Sequence, residues 1–146
     1  MLRILSIAAV IAIGATTVAA QNLDVIKARK ETLKGFGAAA KDPGAMIKGE
    51  AKFDMAKVQA ALKTFQVGAA KLPDLFPDDS KTGGETEALP IIWEKKADLV
   101  DRYKKLAAES KAAEAKITDE IAFQEVWPKL LGDNCGGCHK IYRKQK

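Results

Sequence analysis

Residues 55–72 read MAKVQAALKTFQVGAAKL and place Met55, Val58, Leu62, Phe65, Ala69 and Leu72 at steps of three and four. That spacing lines one face of a helix and is the seam of a helical bundle. Asp54, just before it, is suited to cap the helix, because its carboxylate accepts amides of the first turn. Upstream, 22–40 carries Leu23, Ile26, Leu33, Phe36 and Ala40 at helical spacing, with Asn22 or Asp24 as the cap. Asp42-Pro43-Gly44 ends or kinks that helix, and Gly49 stops it. Downstream, 73–90 holds Pro73, Pro77, Gly83, Gly84 and Pro90 and reads as the long loop, with nothing to sustain a helix. A third helix is expected from Ile91 to Ala115, with Ile92, Leu99, Tyr103 and Leu106 on one face. Thr118 or Asp119 caps a fourth, carrying Phe123, Val126, Trp127, Leu130, Cys138 and Tyr142. Pro128 lies inside it and predicts a kink or break near Trp127. The fold class is therefore all-α, an antiparallel four-helix bundle.

Composition agrees. In 146 residues, 47% are apolar, 29% charged and only 6% aromatic, which suits one soluble helical domain. Those figures exclude a disordered chain, a β-sandwich and a polytopic membrane protein. The net charge of +5 is mild, and Lys alternates with Asp and Glu, so nucleic acid is not an expected partner.

The N-terminus reads as an export signal. Met1-Leu2-Arg3 is charged, Ile4 to Val18 is mostly apolar, and Val18-Ala19-Ala20 offers small residues for cleavage before Gln21. The apolar run is short for a membrane span and has Thr16 and Thr17 near its end. Residues 1–20 are thus expected to be a signal peptide and 21–146 the bundle, exported to a bacterial periplasm with no membrane attachment after cleavage. There, two cysteines either pair or carry something covalent.

Cys135-Gly136-Gly137-Cys138-His139 is the one strong motif, the haem-attachment pattern Cys-x-x-Cys-His. Residues three and four apart share a helix face, so both thiols can reach the vinyl groups of one haem. His139 then supplies an axial nitrogen to the iron. A thioredoxin-like dithiol belongs in a βαβ setting that this chain lacks. A lone disulfide, or two metal ligands, leaves unexplained why the protein's one histidine directly follows Cys138.

A haem motif on the last of four helices resembles the cytochrome c′ family, the class II c-type cytochromes. The resemblance also runs through Val25-x-x-x-Arg29, Leu75-Phe76-Pro77, Ile92-Trp93 and the closing Cys-x-x-Cys-His-x-x-Tyr-Arg. It implies one covalent haem c per chain and, in the family, homodimers through the first two helices. Low-spin members carry a methionine ligand three or four residues after the first-helix arginine; here those positions hold Thr32 and Leu33. The resemblance therefore implies five-coordinate, high-spin iron under Leu33. Met46 and Met55 lie too far along the chain. By the same resemblance Arg29 pairs with a haem propionate, Arg143 sits beside the axial histidine on its helix face, and Phe76, Ile92 and Trp93 pack the pocket. The function so implied is binding of nitric oxide or carbon monoxide, with electron exchange with periplasmic redox partners. An apolar Leu33 offers no hydrogen-bond donor, which disfavours the more polar ligand, oxygen. The alternative is a low-spin, dedicated electron carrier. An enzyme is not expected, because the lone His is spent on the iron.

Overall fold

The computed structural model describes residues 22–145, so the expected signal segment lies outside the described residues. The elements are α1 (Leu23–Ile47), α2 (Met55–Lys71), a short α3 (Ile91–Glu94), α4 (Lys96–Lys116), α5 (Glu120–Leu131) and α6 (Gly137–Tyr142). A single π-helical turn, Gly132–Gly136, joins α5 to α6. With α3 leading into α4, and α5 and α6 acting as one arm, this is a four-helix bundle.

Local chemistry starts the helices. Asn22 accepts from the Val25 amide, Asp54 from Lys57 and Asp119 from Ala122, at 3.2, 3.2 and 2.8 Å. Each satisfies an amide that a helix start leaves without a partner. Packing then orders the bundle. α2 lies between α1 and α4, and α5 lies on α4. The α2 seam is buried from Val58 to Leu72, while Met55 at its end is only partly buried. Gly68 allows the closest approach, since a Cβ there would sit 2.2 Å from Phe36 Cε1. A run of rings, Phe36–Phe65–Trp127–Phe123–Phe53, continues through the core at centroid spacings of 5.4 to 5.8 Å.

Four segments are built differently from the simplest expectation, and at Pro43 and Pro128 it is the break that does not occur. α1 runs unbroken through Pro43, which is buried, and ends only before Gly49 at φ +74°. α5 likewise continues past Trp127-Pro128 to Leu131, so the irregularity falls four residues after the proline, in the π turn. The long loop holds two 3₁₀ turns, Leu72–Leu75 and Asp78–Ser80. Such turns need few hydrogen bonds, and Pro73 fits the first of them. The third helix is interrupted at Lys95 (φ −116°, ψ 38°), with the Trp93 indole donating to the Pro77 carbonyl at 3.0 Å. Among the described residues no helix is long and apolar enough to cross a membrane.

Candidate functional site

α1 and the α5–α6 arm do not close on one another. A cavity of about 980 Å³ separates them, within the range of cofactor sites. Its walls are side chains of α1 and α4, apolar ones such as Leu33, Phe36 and Leu99 beside charged ones such as Arg29, Glu31 and Arg102, the strap 84–88, and Cys135, Cys138 and His139 on the arm. The strap begins with Gly84 and Glu85, which like Gly83 before them are at positive φ, and a Cβ on Gly84 would lie 2.9 Å from Ile26 Cγ2. Its far end pairs with the end of α6. Leu89 N–H donates to Tyr142 O at 3.0 Å and Lys144 N–H to Glu87 O at 2.8 Å.

The two thiols are free and half-buried, and burial pushes both upward from the usual thiol range. A redox-active dithiol needs the opposite shift, so these are not poised as thiolates. The His139 imidazole is held below its ordinary range by burial first and then by Arg143. A neutral ring keeps a lone pair for a metal. Arg143 lines the cavity with His139, but α6 ends at Tyr142 and Arg143 is extended (φ −113°, ψ 137°). Its N–H still donates to His139 O at 3.3 Å, so it follows His139 by one turn as the spacing implies. Pairing with Ala88 on the strap also holds it.

Arg29 is only 1% exposed. Its guanidinium donates to Leu75 O, Ser80 Oγ, Ser80 O and Thr86 Oγ1 at 2.9 to 3.2 Å, and lies 4.6 Å from the Phe76 ring centroid. Burial lowers its affinity for its proton. All four acceptors are neutral, whereas a buried cation is best stabilised by an anion. The open cavity beside it is where a carboxylate-bearing molecule would complete the charge. Leu33, Phe76 and Ile92 line the same cavity. Trp93 is outside the lining; it packs behind Phe76 at 6.0 Å and anchors the loop through Pro77. Two free thiols, a neutral imidazole, an apolar wall and an unneutralised arginine together suit a haem.

Sequence reasoning missed several wall and support groups. Ser80 and Thr86 hold Arg29 from 51 and 57 residues away, and no local pattern announces that. In the sequence Tyr103 stands out only as a face residue of its helix. Asn134 donates to Leu130 O at 2.9 Å, steadying the π turn, and lines the cavity. Tyr142 donates to Asp98, and Arg102 donates to the same carboxylate at 2.6 Å while lying over the Tyr142 ring. This cluster clamps α6 to α4.

A bundle with such a wall belongs to the covalent haem proteins built on four helices. The Cytochrome C' family profile matches residues 24–143, and the chain belongs to that family. Cytochrome c' of Rhodopseudomonas palustris is 48% identical over 145 residues, 99% of this chain and 98% of that protein. Cytochrome c-556 of Agrobacterium fabrum is 36% identical over 121 residues, covering 83% of this chain and 82% of its own. The solved structure of cytochrome c' from Rhodopseudomonas palustris matches with a TM-score of 0.82 at 50% identity, covering 84% of this chain and 98% of that one. The protein is thus a c-type cytochrome whose cofactor is one covalent haem c.

Proposed function

We propose that this is a periplasmic, homodimeric monohaem cytochrome that binds nitric oxide or carbon monoxide at five-coordinate, high-spin iron and passes single electrons. Bound haem supplies the one-electron chemistry and an axial position for a diatomic ligand. The chain's own residues do the rest. Cys135 and Cys138 hold the group by thioether bonds, and His139 offers its imidazole to the metal. Arg29 meets a propionate, with its other donors fixed by Ser80 and Thr86. Arg143 helps to keep the imidazole neutral. Leu33 and Phe36 give α1 an apolar, water-excluding face on the cavity, and Phe76 and Ile92 close its edge.

One observation carries the open-site reading. Among the described residues no methionine lines the cavity. Met46 is packed in the core at 7% exposure, and the Met55 sulfur accepts from Gln59. The optical spectrum of the resting protein should accordingly be high-spin. Leu33→Met should move it towards low-spin and weaken carbon monoxide binding. A low-spin wild-type spectrum that turns high-spin on changing Met46 or Met55 would replace this reading with a dedicated electron carrier. Export is read separately, from a mature N-terminus at Gln21.

A further inference from the structure

We propose that Tyr103 is a further cofactor-binding residue, its phenolic O–H donating to a haem propionate that Arg29 also holds. The proposal rests on the haem reading above. Tyr103 is 7% exposed and lines the cavity from α4. Its ring is fixed by stacking on Phe76, with centroids 6.2 Å apart and planes at 28°. A phenylalanine would make that stack equally well, so the hydroxyl is the atom that needs a reason.

Among the described residues the hydroxyl has no hydrogen-bond partner. It also differs from Ser110 Oγ and Trp127 Nε1, the enclosed side-chain atoms left without partners, because it opens on the cavity. A hydroxyl that faces a cavity loses its access to water when a cofactor fills the space, and the filling group must then supply the acceptor. Burial raises the phenol far above its ordinary range, so it is a donor at any physiological pH.

Arg29 lies on the same aromatic neighbour, Phe76, and Tyr103 stands within electrostatic reach of both Cys138 and Arg29. Tyr103 and Arg29 are both donors, and each acceptor that the Arg29 guanidinium meets is neutral. A group with several acceptor sites and negative charge satisfies both at once, and a carboxylate is that group. A gas ligand is the competing acceptor. It is neutral and leaves Arg29 uncompensated.

The test uses holoprotein with Tyr103→Phe and, separately, Arg29→Gln. The readouts are the propionate bending mode in resonance Raman, the pH dependence of the midpoint potential, and the stretching frequency of bound carbon monoxide. Losing a donor raises the carboxyl pKa. Tyr103→Phe should therefore shift the bending mode and move the inflection of the potential curve to higher pH, with haem still covalently attached. If Arg29→Gln moves both while Tyr103→Phe moves neither, Tyr103 is not a propionate donor. A changed carbon monoxide frequency with an unchanged bending mode turns the hydroxyl towards the gas and overturns the proposal. Acid–acetone extraction of the wild type reports on the haem reading itself. Colour leaving the protein would end both.

Discussion

Leu62 on α2 and Leu33 on α1 both sit on apolar helix faces, yet Leu62 is wholly buried and Leu33 stays 37% exposed. The first belongs to the half where α2, α4 and α5 meet and rings of Phe65, Trp127 and Phe123 interlock. The second belongs to the half where α1 and the α5–α6 arm stand apart. Periodicity is the same in both; what differs is the presence of a protein partner opposite. One half is finished by the chain and the other by its cofactor.

The largest test of that contrast removes the attachment. Cys135→Ala with Cys138→Ala should abolish covalent haem altogether, so acid–acetone extraction leaves no colour with the protein. Hydrogen exchange should then quicken in the first half of α1 and in α6, while core amides of α2 and α4 remain protected. Uniform loss of protection would mean that the two halves are one cooperative unit.

Next, Leu62→Ala should cost about 2–5 kcal/mol in urea unfolding, as deletions in a filled core do. Leu33→Ala, at the cavity wall where water can replace the lost atoms, should cost about 1 kcal/mol or less and speed carbon monoxide entry. Equal costs would place Leu33 in the core. Gly68→Ala joins the two halves, because its new methyl would meet Phe36, which also lines the cavity. A loss of about 1–3 kcal/mol is expected from overpacking, together with altered ligand-binding kinetics. Stability loss with unchanged kinetics would show that Phe36 yields without disturbing the pocket.

The smallest effect is acid sensitivity. Tyr142 first, and then Arg102, hold the Asp98 carboxyl below its usual range. A depressed folded pKa adds stability that is complete above the unfolded value of about 4 and fades as pH falls through the folded one. Asp98→Asn should flatten the acid limb of the stability curve below about pH 4 and leave the neutral region lower. An unchanged acid limb would remove Asp98 from the clamp's pH dependence.

What could be read from the chain was local. The α2 seam, the caps at Asn22, Asp54 and Asp119, and the Cys135–His139 motif each depend on residues within a turn or two. Neither Pro43 nor Pro128 ends its helix, because a proline's penalty is intrinsic, whereas the packing that retains it comes from other helices. Lys95 carries no breaker chemistry, and the interruption there follows from Trp93 being tied to Pro77 across 16 residues. Arg29 is legible as a cavity residue through family resemblance. Its burial among Leu75, Ser80 and Thr86 is not, since loop acceptors have no period. Arg143 lies at the cavity with His139 as their four-residue spacing implies, while the strap pairing that also holds it has no local signal.

In the π turn the Gly137 N–H reaches back to Gly132 O, five residues instead of four. Counted along the chain, such a turn is an insertion of one residue. Each residue of an α-helix advances the face by about 100°. Deleting Asp133, and so restoring the ordinary count, would close the turn into plain α-helix and leave Cys138 and His139 facing the cavity, whereas adding a residue between the turn and Cys138 would swing both by about 100°. This stretch should therefore tolerate the loss of its extra residue far better than the gain of another.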